Sequence, residues 1–153
     1  MFGCQQVLIK ADKSLQAVLE FVCGESAKLG NCGTYYARQL YFKTGKIPSK
    51  FDLHKLLKNN PHFQAMYSHV AQQCLTTVAE SFKSYLGLLK AVNARFVVQR
   101  PRLPGYRKGG LAVATFPRAD IKLKNGLLRF PLGSKVKTWF RLGLWSLQES
   151  LSL

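Results

Sequence analysis

Apolar and polar residues alternate with a period of two on both sides of the dipeptide Asn125-Gly126. Both central residues of a type I′ turn need a positive φ, which Asn and Gly tolerate best, so the dipeptide predicts a two-residue β-hairpin. A turn of this length also fixes the register of the two strands. The predicted pairs are Lys124 with Leu127, Leu123 with Leu128, Lys122 with Arg129 and Ile121 with Phe130.

The alternation predicts two different faces for this hairpin. The apolar face carries Ile121, Leu123, Leu128 and Phe130. The basic face carries Lys122, Lys124 and Arg129. Like charges that lie opposite one another cost some stability, so the basic face is either well solvated or bound to an anionic partner.

Towards the N-terminus the apolar spacing changes to three and four, which is typical of amphipathic helices. Asp12 or Ser14 can cap a first helix. Its apolar positions are Leu15, Val18, Leu19 and Val22. Gly24 is expected to weaken the second half of this helix, and Gly30-Asn31 is expected to end it. A second, short helix is predicted for residues 34–41, which are rich in aromatic side chains.

Two more helices are predicted after a loop at residues 44–48. Asp52 can cap a short helix that carries Leu53, Leu56 and Leu57. Asn60-Pro61 is a strong helix start, because proline is well suited to the first helical position. From there one helix is expected to run to about residue 91, with an apolar stripe typical of a core. The stripe contains Phe63, Met66, Val70, Cys74, Val78, Phe82, Leu86 and Leu89.

Short strands are predicted at both ends of the chain. Residues 2–11 are predicted as a strand, and so are residues 111–116, which precede the hairpin. An isolated hairpin is marginal in water, so the strands need one another. We therefore predict an α+β fold: a small β-barrel made by residues 1–12 and 94–140, with an inserted helical bundle at residues 13–93.

The charge of the chain indicates its partners. The 153 residues include 23 Lys and Arg and 7 Asp and Glu, a formal charge of +16. Residues 81–153 carry 14 of the basic residues and 2 of the acidic ones. Such an excess favours a polyanionic partner, either nucleic acid or an anionic membrane surface. The sequence has neither a long apolar span nor the pattern of a signal peptide, so we expect a soluble intracellular protein that binds nucleic acid.

The sequence does not predict catalysis, a metal or a cofactor. The acidic residues are scattered rather than grouped as metal-dependent nuclease sites require. His54, His62 and His69 are expected on different faces or elements, so a shared metal is not predicted. Cys4, Cys23, Cys32 and Cys74 form no CxxC pair and are interpreted as reduced, mostly buried thiols. Phosphate-binding loops and nucleophile motifs are also missing from the sequence.

A basic, proline-rich and glycine-rich loop precedes the strands. Arg100, Arg102, Arg107 and Lys108 can each reach a phosphate, and Tyr106 offers a ring on which a base can stack. With the basic face of the hairpin, these residues form the predicted nucleic-acid site. The alternative is a flexible surface loop with Tyr106 tucked beneath it.

Three segments resemble a known family. They are Phe82-Lys83-Ser84-Tyr85, Pro104-Gly105-Tyr106-Arg107-Lys108 and the sequence LLRFPLG at residues 127–133. The chain resembles, over residues 1–140, the N-terminal part of TnpB-like (OrfB family) proteins, transposon-encoded relatives of type V CRISPR nucleases. The resemblance implies a wedge β-barrel with a helical recognition lobe, which together bind a transposon-derived guide RNA and target DNA. Protein of this kind recognises backbone shape while base pairing reads the sequence.

The chain also departs from that family. TnpB-like proteins have a RuvC-like nuclease domain with three carboxylates and a four-cysteine zinc ribbon, and this sequence contains neither. Residues 141–153 no longer follow the family pattern, which suggests a truncated product. The resemblance implies a non-catalytic, nucleic-acid-binding fragment in the prokaryotic cytoplasm, associated with the nucleoid. The alternatives are a non-functional pseudogene product and an unrelated basic RNA-binding structural protein.

Overall fold

A computed structural model describes residues 4, 6–8, 10–95, 99–140 and 147–150. Its helices are α1 Lys13–Thr44, α2 Lys50–Leu57, α3 Pro61–Ala65, α4 Ser68–Asn93 and α5 Ser134–Trp139. Its strands are β1 Lys122–Lys124, β2 Leu127–Phe130 and β3 Leu147–Ser150, and one 3₁₀ turn covers Arg118–Asp120. The described part is therefore mainly helical.

Helix α1 is one continuous helix where two were predicted. Asp12 caps it as expected, because its side chain accepts a hydrogen bond from the Leu15 backbone N–H at 2.7 Å. The helix passes through Gly24 and Gly30-Asn31 without a break and ends at Gly45, which has a φ of 69°. The prediction that these residues weaken and end the first helix was wrong.

The glycines of α1 mark close contacts with other segments. A Cβ built on Gly33 would lie 3.0 Å from Leu75 Cδ2 of α4. A Cβ on Gly30 would lie 3.6 Å from Cys74 Sγ, an ordinary contact distance that leaves room for a methyl group. At Gly33 the absence of a side chain lets α1 and α4 approach closely, and the packing gained there offsets the low helix propensity of glycine. Tertiary contacts thus explain why α1 continues through them.

Helices α2 and α3 begin with well-formed side-chain caps. Ser49, not Asp52, caps α2, and Asp52 completes a capping box by accepting from the Ser49 backbone at 2.9 Å. Asn60 caps α3 and Pro61 follows it, as predicted. The helix expected to start there is instead interrupted at Met66, which is extended with a φ of −105°.

The interruption lies where Gly133 meets the chain. A Cβ on Gly133 would lie only 2.8 Å from the Met66 carbonyl carbon. The segment before α5 thus packs directly on the backbone between α3 and α4. The predicted helix is divided into α3 and α4 at this contact. The local spacing of apolar residues cannot indicate a contact between segments so far apart in the sequence.

The hydrophobic core lies between α1, α4 and the short helices. The first six residues of the predicted stripe, from Phe63 to Phe82, are buried as expected. Leu86 and Leu89 are half-buried. Cys74 Sγ lies 3.2 Å from the Ser26 carbonyl oxygen, and the rings of Tyr41 and Tyr85 are in contact further along. These two contacts follow the same order in both helices, so α1 and α4 run parallel.

An extended segment, residues 101–116, runs back along α1; we call it the strap. Residues 111–116 of the strap were predicted as a strand, and they form none. The Ala112 backbone N–H donates to the Cys23 carbonyl at 3.0 Å, and the Ser26 hydroxyl donates to the Val113 carbonyl at 3.1 Å. Leu103, Ala114 and Phe116 pack against the core. Helix α1 thus supplies the partner that a neighbouring strand was expected to supply.

The predicted hairpin is confirmed. Strands β1 and β2 pair antiparallel with Lys122 opposite Arg129, Leu123 opposite Leu128 and Lys124 opposite Leu127. Asn125 and Gly126 have φ values of 52° and 76°, as a type I′ turn requires. Ile121 lies outside β1, so its predicted pairing with Phe130 is not formed. Phe130 instead pairs with Leu147 of β3.

The α+β fold with a wedge β-barrel was wrong. The described strands form one small antiparallel sheet in the order β1-β2-β3. Among the predicted N-terminal strand residues, Cys4, residues 6–8 and Lys10 are not in a strand, while Ile9 and the others lie outside the described residues. The barrel lacks two of its expected members because residues 111–116 bind to a helix and these N-terminal residues join no sheet.

Candidate nucleic-acid interface

Side chains of α1 hold the strap in place. Arg38 Nη1 donates to the Pro104 carbonyl at 2.9 Å. The Asn31 side chain makes a reciprocal pair with the Arg107 backbone: its oxygen accepts at 2.8 Å and its amide donates at 3.2 Å. Asn31 and Arg38 are two helical turns apart and therefore lie on the same side of α1. The strap is thus fixed by polar contacts along one side of a long helix.

An arginine and two aromatic rings lie in contact at this surface. The Arg38 guanidinium carbon is 5.3 Å from the centroid of the Phe42 ring and 5.7 Å from that of Tyr106. Phe42 is 62% exposed and Tyr106 is 48% exposed. Exposed rings beside a cation provide a stacking surface for nucleic-acid bases. We call Arg38, Phe42 and Tyr106 the stacking cluster.

Arg107 is exposed overall, but part of its side chain packs against α1. Its Cζ lies 3.7 Å from the position of a Cβ on Gly30, beside Cys74. Burial raises the pKa of the Cys74 thiol, which the Ser26 hydrogen bond and the charge of Arg107 partly oppose. Arg107 therefore contributes to the packing of the strap on α1 and also adds positive charge to this surface.

The remaining predicted cations of the strap region are exposed: Arg100, Arg102 and Lys108. Arg100 lies near Tyr85, in the second half of α4. The hydrogen bond with Tyr41 and burial raise the pKa of Tyr85, and the charge of Arg100 acts in the opposite direction. These cations follow the strap on both sides of Tyr106, so a bound backbone could contact them while a base stacks on the ring.

The hairpin carries the second predicted group on a different element. Lys122, Lys124 and Arg129 are all exposed, as expected for the basic face. On the opposite face Leu123 is 65% exposed, so the hairpin tip is not covered on either side. Phe130 contacts Phe116 at the end of the strap, with ring centroids 5.3 Å apart. Of the eight predicted site residues, four thus lie on the strap, Arg100 directly precedes it, and three lie on the hairpin, which contacts the strap through this aromatic pair.

Four acidic side chains are engaged in contacts within the protein. Glu25 binds Lys28 at 2.8 Å and His62 at 2.7 Å. Asp120 binds His69 at 2.8 Å. Asp12 and Asp52 bind backbone N–H groups at helix starts. Because these carboxylates serve structural contacts, the exposed surface near the strap is dominated by cations.

Predictions about metal ligands concern three histidines and four cysteines. His54, His62 and His69 lie on α2, α3 and α4, so they are on different elements as expected. The four cysteines are free; Cys74 is buried, two are half-buried and Cys4 is exposed. Within the described ranges, no group of three or more His, Cys, Asp or Glu could hold a metal ion. Of the helices the structure describes, none has the length and apolar character needed to cross a membrane.

Sequence reasoning missed three residues of this surface: Asn31, Arg38 and Phe42. Asn31 was interpreted as part of a helix stop. Arg38 was in the helix predicted for residues 34–41, which was noted only for its aromatic content, and Phe42 followed directly after that helix. The spacing of four between Arg38 and Phe42 is the signal that was available, since residues four apart on a helix are neighbours. Their contact with Tyr106 is long-range and has no local signal.

Comparisons of the chain with protein-family models, curated proteins and solved structures gave no match.

Proposed function

We propose that this chain binds single-stranded nucleic acid, with RNA as the main ligand, on the surface formed by the strap and α1. The observation that carries the proposal is the stacking cluster, an arginine in contact with two exposed rings, with four exposed cations nearby in the sequence. Stacking of a base on an aromatic side chain contributes about 1–3 kcal/mol, and it needs an unpaired base. The hairpin cations extend the positive surface for the backbone.

Binding of a labelled single-stranded RNA tests this proposal by fluorescence anisotropy on the full chain. Tyr106→Ala is expected to weaken binding at least fivefold, which corresponds to about 1 kcal/mol of lost stacking. The control is Phe51→Ala, another exposed aromatic residue, which lies beside Lys50 on α2. Duplex RNA of the same sequence is expected to bind more weakly. Equal losses for both variants, or tighter duplex binding, would contradict the proposal.

A narrower proposal is that the RNA is a transposon-derived guide and that target DNA binds as well. Its support is the resemblance of residues 82–85, 104–108 and 127–133 to TnpB-like proteins. This narrower proposal does not include the wedge barrel that the resemblance implied, because the described strands form a small antiparallel sheet instead. Competition between a transposon-end RNA and a ribosomal RNA fragment of equal length tests this proposal. A preference for the ribosomal fragment favours a general RNA-binding structural protein instead.

In this proposal the chain binds nucleic acid without cleaving it, and it is located at the nucleoid of a prokaryotic cell. Metal-dependent DNA cleavage by the purified chain would contradict the proposal that the chain does not cleave. Cooperative thermal unfolding separates the proposal from the alternative of a pseudogene product without a stable fold.

A further inference from the structure

A second exposed surface lies between the end of α1 and α2. An apolar cleft of about 330 Å³ opens there. Residues that line it include Tyr36, Leu40 and Lys43 of α1, Pro48 of the loop, and Leu53 and Leu56 of α2. We call this feature the α1–α2 cleft.

The cleft exists because α2 packs mainly on α4 and touches α1 only slightly. Leu53 is fully buried and forms the floor, and His54 anchors α2 to α4 through the Gln72 carbonyl at 3.0 Å. Leu56, on the rim, is 55% exposed. The two helices therefore diverge above a closed apolar floor.

The cleft and the stacking cluster lie on different sides of α1. Residues 36, 40 and 43 recur at spacings of four and three, so they share one side of the helix. Arg38 and Phe42 share another side, which faces the strap. A ligand in the cleft therefore leaves the proposed RNA surface accessible.

The exposed apolar residues of the cleft are grouped. Tyr36, Leu40 and Leu56 are all exposed at its edges. Grouped exposed apolar side chains of this kind mark interaction sites more often than scattered ones do. A strip that runs along two helices suits an elongated apolar ligand better than a compact one.

The segment that forms one wall of the cleft carries a net positive charge. Lys43 lines the cleft, and Lys46, Lys50 and Lys55 are exposed elsewhere in the same segment, residues 43–56. Asp52 also lines the cleft, and the hydrogen bonds that its carboxylate accepts from the Ser49 backbone and hydroxyl, at 2.9 and 2.7 Å, leave its negative charge in place. Four lysines against this one carboxylate disfavour a second copy of this basic chain and favour an acidic partner.

We propose that the α1–α2 cleft docks an acidic amphipathic helix of a partner protein. Leucine-like side chains of that helix, spaced by three and four residues, would fill the cleft above Leu53, and its carboxylates would lie near Lys43. This is the helix-in-groove mode of recognition, in which apolar anchors supply affinity and charges set the orientation. Nucleic acid is the less suitable ligand, because Tyr36 is the one aromatic ring among the lining residues and bases have little else to stack on.

The test uses the full chain and a synthetic helical peptide that carries Leu at positions i, i+3 and i+7 and Glu at most other positions. A scrambled peptide of the same composition controls for simple charge attraction. The first variant is Leu56→Glu, and the matched control is Leu88→Glu, an exposed leucine of α4 that is outside the cleft. Thermal unfolding checks that both variants stay folded. NMR shift mapping locates the bound peptide.

We expect the patterned peptide to bind about tenfold tighter than the scrambled one, with shifts at Tyr36, Leu40 and Leu56. Leu56→Glu is expected to reduce the affinity for the patterned peptide about tenfold. Leu88→Glu should leave that affinity unchanged, and neither variant should change the affinity for RNA. Equal binding of the two peptides, or shifts outside the cleft, would overturn the proposal. The proposal would also be overturned if an RNA oligonucleotide displaced the peptide and bound the Leu56→Glu variant more weakly than the parent chain. The cleft would then belong to the nucleic-acid surface.

Discussion

The guanidinium of Arg38 contacts the ring of Tyr106, 5.7 Å from its centroid, and donates a hydrogen bond to Pro104 two residues before it. One side chain of α1 thus fixes both the backbone and the aromatic ring of the strap. The prediction from sequence contained Tyr106 and its neighbouring cations but not the residue that holds them. The proposed RNA surface depends on this contact.

Arg38→Lys tests whether the planar guanidinium matters beyond its charge. Lysine keeps the charge but cannot stack as a plane between two rings while bonding a carbonyl. We expect RNA affinity to fall about three- to tenfold and stability to fall by about 1 kcal/mol. Arg118→Lys, at an exposed position in the 3₁₀ turn, is the control and should change neither. If both variants bind RNA equally, the guanidinium has no special role.

Asn31→Ala tests the attachment of the strap to α1. The change removes both hydrogen bonds to the Arg107 backbone, and each contributes about 0.5–1.5 kcal/mol. We expect a loss of about 1–2 kcal/mol in the free energy of unfolding and faster hydrogen exchange of the Arg107 amide. Gln16→Ala, which removes a single exposed bond to Glu20 within α1, should cost a few tenths of a kcal/mol. Unchanged exchange at Arg107 would show that the strap is held elsewhere.

Two glycine variants should change stability in opposite directions. A Cβ on Gly30 meets its nearest neighbours at 3.6 Å or more, so Gly30→Ala should stabilise α1 by about 0.5–1 kcal/mol. Gly133 also has a backbone conformation open to alanine, but its Cβ would lie 2.8 Å from Met66 backbone. Gly133→Ala should therefore cost about 2–3 kcal/mol. Urea unfolding measures both, and a stabilising Gly133→Ala would show that this contact is loose.

Stability should fall in acid partly because of Glu25. Burial acts to raise its pKa, but the hydrogen bonds and charges of Lys28 and His62 outweigh it, so the folded pKa lies below the ordinary value. The carboxylate therefore stabilises the fold above its ordinary pKa of about 4.3, and this contribution is lost as the pH falls through the lower folded pKa.

Glu25→Gln should consequently be less stable than the parent chain by about 1–2 kcal/mol at pH 7. The difference should shrink below about pH 4. Glu20→Gln, at an exposed position on the same helix, should show little difference at any pH. Unfolding followed from pH 7 to pH 3 measures this, and a difference that stays constant across the range would exclude a role for the charge.

Local signals predicted individual turns and helix starts but not the fold. The Asn125-Gly126 turn, the Asp12 cap and the Asn60-Pro61 start all depend on neighbours in sequence, and all three are present. Failures arose where distant segments meet. Gly30 continues a helix because Arg107 and Cys74 pack beside it, and residues 111–116 bind to α1 rather than to a strand.

The candidate site shows the same division. Tyr106 and the strap cations could be found from composition, since aromatic and basic residues together are typical of nucleic-acid surfaces. Arg38 and Asn31 could not, because their role depends on a chain reversal that brings the strap back along α1. The α1–α2 cleft also had no local signal, because it results from α2 packing on α4.

The central claim is that the strap cations contact nucleic-acid phosphates, and the salt dependence of RNA binding tests it most directly. Lys108→Gln and Arg102→Gln should each reduce the log–log salt slope by about 0.7, the value for one phosphate contact on a single strand. Lys83→Gln, an exposed lysine on α4, should leave the slope unchanged. A slope that changes equally in all three variants, or in none, would contradict RNA binding at this surface.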